Sequence, residues 1–168
     1  TLVDLANEDR AKEDLGTLTL SPVLVAVAEA KARDMAEKGY FAHTSPDGID
    51  PWFWFHDIGY NFSYAGENLA VNFSDSEDVE QAWMKSPGHR ANILNSKFTE
   101  VGIATAKGTY NGKTTIFVVQ MFGRPQNTAT QAIPTPKAPV RPINSGTVAQ
   151  NTTNQTSVLG AEEETESI

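Results

Sequence analysis

The sequence predicts an α+β fold in which a small antiparallel sheet lies between helical layers. Three observations carry this. Up to about Leu94, apolar residues recur at helical spacing and are punctuated by Ser-Pro pairs and glycines. Beyond that point the period drops to about 2, in Glu100–Lys107 and Thr114–Phe122. Asn111-Gly112 joins those two runs and is a strong two-residue hairpin signal. Helices first and an antiparallel pair late is the order of an α+β domain.

Leu2, Leu5, Ala6 and Leu15 outline a short first helix, closed by Gly16. Ser21-Pro22 starts the clearest helix, Val23 to Lys38, with Leu24, Val27, Ala28 and Met35 on one face and Gly39 as its stop. Its many alanines let a neighbour approach closely. Tyr40 to Gly48 passes from aromatic to turn residues. Pro51-Trp52-Phe53-Trp54-Phe55-His56 is a dense aromatic patch on a short helix, ended by Gly59. Tyr64 to Ala70 reads as a short strand or a loop. Ser74 to Asp78 has the composition of a helix N-terminus, and Val79, Ala82 and Trp83 turn that helix toward the core. Pro87 stops it, while Ser86-Pro87 caps and opens the next helix, which places His89 in a first turn.

The 168 residues fit one ordinary domain with an appendage. All 15 aromatic residues lie before position 124, and five of the nine prolines fall between Pro125 and Pro142. Residues 1–124 are therefore expected to form the domain. Residues 125–168, rich in Pro, Thr and Asn and acidic at the end, are expected to be a linker or tail, disordered unless bound to a partner or a neighbouring chain. The net charge of −8 has no basic stripe within it, which argues against nucleic acid as a partner. No apolar run approaches the roughly 20 residues of a membrane span. The absence of cysteine excludes disulfides and thiolate chemistry. A chain that opens at Thr1 within a helical pattern is expected to be a mature or trimmed form, with any signal or anchor outside it.

Three histidines are candidates for chemistry. His56 sits in the aromatic run and is assigned to packing. His43 lies in a turn-rich loop, and His89 lies 46 residues later. No H-E-x-x-H pattern joins them, so spacing alone gives no metal site. Glu67, between Gly66 and Asn68, is the acid with unusual surroundings. No P-loop, dinucleotide fingerprint or Gly-x-Ser-x-Gly is present, which leaves covalent hydrolase mechanisms little support.

Four pieces, in order, resemble the CAP superfamily (SCP/TAPS) in its bacterial form. They are Asn7-x-x-Arg10, Phe41-x-His43-Thr44-Ser45-Pro46-x-Gly48, Gly66-Glu67-Asn68-Leu69-Ala70, and Trp83-Met84-x-Ser86-Pro87-Gly88-His89-Arg90-x-Asn92-Ile93-Leu94. The resemblance implies a three-layer α-β-α sandwich with a shallow cleft around two histidines and two glutamates. By position His43, Glu67 and His89 supply three of the four. Ser86 stands where the family usually has its second glutamate. The implied metal set is His43 and His89, with Glu67 as a ligand or as the orienter of a bound water. That shell is thin, so any divalent metal, Zn²⁺ or similar, is expected to bind weakly and to be lost as pH falls.

The functional expectation is a secreted or surface-displayed domain, extracellular or at the cell surface, that acts by binding at this cleft. Its partner would be a small apolar ligand such as a lipid or sterol, or a surface protein. Trp52, Trp54 and Phe55 are the candidate apolar ligand wall. The competing expectations are a metal-dependent hydrolase, with Glu67 as general base, and a structural module whose cleft is vestigial.

Overall fold

The computed structural model describes residues 1–126 in full and, over 157–164, the backbone alone. Its helices are α1 (Leu2–Lys12), α2 (Pro22–Lys38), α3 (Pro51–Ile58), α4 (Ser76–Lys85) and α5 (Pro87–Ile93). Its strands are β1 (Thr19–Leu20), β2 (Phe62–Val71), β3 (Glu100–Tyr110), β4 (Lys113–Pro125) and β5 (Ser157–Glu164). They form one sheet in the order β1-β3-β4-β2-β5. Every pairing is antiparallel except the two-residue contact of β1 with β3.

The sheet separates two apolar layers, because successive strand residues face opposite sides. Ala65, Leu69 and Val71 of β2 join Phe117, Val119 and Met121 of β4 beneath α2 and α3. Ala70, Val118 and Phe122 face the other way, against Leu2 and Ala6 of α1, Val79 and Trp83 of α4, and Ile93 of α5. This is the three-layer α-β-α sandwich. Helix α2 lies so close to β3 that a Cβ on Gly102 would stand 2.1 Å from the Leu24 backbone.

Local signals set most boundaries. Asp50 accepts a hydrogen bond from Phe53 N–H at the start of α3, and Asp75 does the same for Asp78 at the start of α4. Asn111 and Gly112 both take positive φ, as the tight hairpin turn requires. The first helix is shorter than its pattern suggests. It ends at Lys12, and Asp14 turns the chain in the left-handed region at φ 56°. The stretch read as a strand or loop is the ten-residue strand β2, bonded on both sides. In α4 the buried residues are Val79, Glu80 and Trp83, while Ala82 is only half-buried. Most of the expected tail, residues 127–156 and 165–168, lies outside the described residues.

Candidate functional site

Glu67 lies on β2 with its side chain fully enclosed. It faces the α2–α3 side of the sheet, in the alternation set by Ala65 and Leu69. There its Oε1 lies 2.6 Å from Nδ1 of His43, whose side chain is 22% exposed. An ionised carboxylate only accepts, so opposite it Nδ1 donates and the neutral ring keeps Nε2 as an acceptor. Among the described residues, neither His43 Nε2 nor Glu67 Oε2 has a hydrogen-bond partner, and both atoms are buried.

The loop that carries His43 is fixed from α2. Lys31, fully buried, donates to the carbonyl oxygens of Ala42 (2.9 Å) and His43 and to the Tyr40 hydroxyl. Burial lowers the Lys31 ammonium pKa, while Glu67 and Asp34 oppose the shift. Tyr40 donates in turn to Asp34, and Lys38 bridges Asp34 and Asp47 at 2.7 Å each. Gly48, at φ +80°, closes the turn with its N–H on the Ser45 carbonyl.

His89 belongs to the opposite layer. It is buried in α5, and its Nδ1 lies 2.7 Å from Ser86 Oγ. Ser86 is the N-cap by position, but its side chain bonds no backbone N–H of the helix. Where the resemblance implies a carboxylate, a hydroxyl meets the imidazole. A hydroxyl can donate or accept, so it does not fix the tautomer of His89 as a carboxylate would.

Helix α5 is tied to β2 by buried amides. Asn68 donates to the His89 carbonyl and to Gln120 Oε1, and Asn92 donates to Asn68 Oδ1 and to the Glu67 carbonyl. The two histidines thus approach β2 from the two sides of the sheet. Among the described residues no group of three or more His, Cys, Asp or Glu side chains is placed to hold a metal ion. The donors present therefore do not fit a zinc site, which normally has three or four protein ligands.

The aromatic residues divide. Phe55 is fully buried and packs edge-on to Tyr60 and Phe62. Trp52 is half-buried against Phe55 and Phe62. Trp54 is half-buried beside the exposed Phe53. His56 is exposed and rests against the Phe62 ring.

Sequence reasoning missed Lys31. The signal was present, since Lys31 falls on the stripe of Leu24, Val27, Ala28 and Met35. A lysine there needs internal acceptors. Asn7 and Arg10 are framework residues. Asn7 pairs with both backbone groups of Leu18, and Arg10 reaches the carbonyl oxygens of Gly16, Ile93, Asn95 and Phe98.

Comparison with known proteins agrees with this architecture. The chain is 41% identical to the uncharacterized protein YkwD of Bacillus subtilis over 102 residues, which is 61% of this chain and 40% of that protein. It is 32% identical over 109 residues to the uncharacterized membrane protein YlbC of the same organism, covering 65% of this chain and 32% of the relative. The chain thus spans well under half of either relative. An extracellular protein containing an SCP domain from Bacillus anthracis superposes with a TM-score of 0.63 at 33% identity, over 73% of this chain and 39% of that one. An outer surface protein of Borrelia burgdorferi gives a TM-score of 0.66 at 26% identity, over 74% and 90% of the two chains. Residues 3–122 match the family described as CAP, the cysteine-rich secretory protein family, although this chain contains no cysteine. The chain therefore belongs to the CAP family.

Proposed function

We propose that this CAP domain works by binding, outside the cell or on its surface, and that the His43–Glu67 pair is the polar centre of its recognition site. The observation that carries the reading is the pair itself. A fully enclosed carboxylate orients an imidazole that is 22% exposed, and among the described residues each retains one buried polar atom without a partner. Such atoms cost free energy in the folded protein, and a ligand able to hydrogen-bond them would recover part of it. The extracellular and surface character of similar proteins supports the location. The ligand classes are a small apolar molecule with a polar head, such as a fatty acid or sterol, or a surface protein. Of the candidate ligand wall, Trp52 and Trp54 are open enough to touch one, whereas Phe55 is enclosed in the core.

The test is an NMR titration of the whole chain with fatty acids, sterols and short peptides. Binding predicts that the signals of His43 and Glu67 shift saturably with at least one class, and that Glu67→Gln weakens the effect at least tenfold while the fold is retained. Turnover of a peptide or ester that His43→Ala abolishes would replace this reading with the hydrolase. No shift with any class would leave the pair a structural contact.

A further inference from the structure

Strand β2 has β4 along one edge and β5 along the other. The two edges differ in origin. β4 arrives by a two-residue hairpin from β3, within the region matched by the family. β5 lies beyond that region, and 31 residues separate Pro125 from Ser157. Eight consecutive register pairs, from Tyr64↔Glu164 to Val71↔Ser157, run along this outer edge. Without them every second N–H and C=O of that stretch would lack a ladder partner, the condition under which a sheet recruits another strand.

Two further features mark this edge. The register sets Ala161 beside Glu67 and Gly160 beside Asn68, and β5 also lies against α5, the helix of His89. β5 thus runs along the part of β2 that the two histidines flank. Its sequence, Ser-Val-Leu-Gly-Ala-Glu-Glu-Glu, is also poorly suited to a permanent strand. A glycine interrupts it, and three adjacent glutamates have low strand preference and repel one another. Long connection, full pairing and weak strand composition together describe an occupant that can leave.

We propose that the outer edge of β2 is a strand-acceptor site for an extended peptide, and that residues 157–164 of the same chain are its resident, displaceable occupant. Recognition is by main-chain hydrogen bonds along Tyr64–Val71, the mode in which a peptide adds a strand to an open sheet. The proposal is independent of what the His43–Glu67 pair binds, because backbone pairing does not use either side chain.

Amide hydrogen exchange on the full chain tests it, with the double variant Gly160→Pro/Ala161→Pro for comparison. Adjacent strand residues point their N–H groups to opposite edges, so one of the two prolines must remove a donor from the ladder. In the wild type, alternate amides of Tyr64–Val71 that point away from β4 are expected to be protected. In the variant those amides should lose protection at least tenfold, while those bonded to β4 keep theirs and report an intact fold. A fluorescent synthetic peptide of residues 155–166 should then bind the variant at least tenfold more tightly than the wild type and restore protection. Unprotected outward amides in the wild type would overturn the proposal without recourse to the variant. Protection unchanged by the prolines, or no peptide binding to the variant, would overturn it too. Wild-type protection that vanishes on dilution as the mass halves would assign the strand to a second copy and overturn the resident assignment.

Discussion

His43 Nδ1 and Glu67 Oε1 lie 2.6 Å apart although they stand 24 positions apart in sequence. The contact joins a loop to a strand, and each is held by a different scaffold. The loop is fixed by Lys31 of α2, and Glu67 is fixed by ladder pairing in β2 opposite Met121 of β4.

Replacing Lys31 by Met keeps the length of the side chain but leaves the Ala42 and His43 carbonyls without their donor. The expected cost is about 1–3 kcal/mol of stability. Urea unfolding measures that cost, and hydrogen exchange should show faster opening in residues 40–48 than in β3. An unchanged loop would mean that Lys31 does not position His43.

Arg10 joins α1 to the end of α5 and the turn after it through the carbonyl oxygens of Ile93, Asn95 and Phe98, and holds the Gly16 carbonyl beside its own helix. Burial lowers its pKa, but a guanidinium remains charged. Arg10→Lys supplies one ammonium where a fork made several bonds. A loss of about 2–4 kcal/mol is expected from the unmade bonds of a buried charged group. Thermal unfolding decides this, and a loss below the measurement error would refute the anchoring role.

Glu80 is buried in α4 without a hydrogen-bond partner among the described residues. Burial pushes its carboxyl up to about 8, with Asp9 adding to the rise and Lys12 opposing it. Between an ordinary value of 4.5 and about 8, the folded state holds a proton that the unfolded chain has released. Stability therefore falls as pH rises through that window, by up to about 1.4 kcal/mol per pH unit. The difference between wild type and Glu80→Gln in urea midpoints, taken from pH 5 to 8, isolates this contribution. A pH-independent difference would refute it.

The candidate site was legible in part. Glu67 stood out because a carboxylate in an apolar run needs partners, and Ser86-Pro87 placed His89 in a helical first turn. Lys31 escaped because its neighbours on the α2 stripe are apolar, and its acceptors come from a loop that folds back on the helix. Ser86 was read as a cap, but its hydroxyl turns to His89 instead of the backbone. Which of those two partners a hydroxyl takes depends on the rotamer, and rotamers answer to packing.

The sequence by itself determined where most elements start and stop, because caps, prolines, glycines and hydrophobic period act over a few residues. Asp50, Asp75 and Asn111-Gly112 needed nothing distant to do their work. Only the tertiary structure decided that β2 is an interior strand of the sheet. Its neighbours, β4 and β5, lie about 50 and 90 residues further along the chain, and backbone ladders leave no trace in residue type. The same non-local pairing sets Glu67 facing one layer and Asn68 the other, and so carries His43 and His89 to the two sides of a single strand.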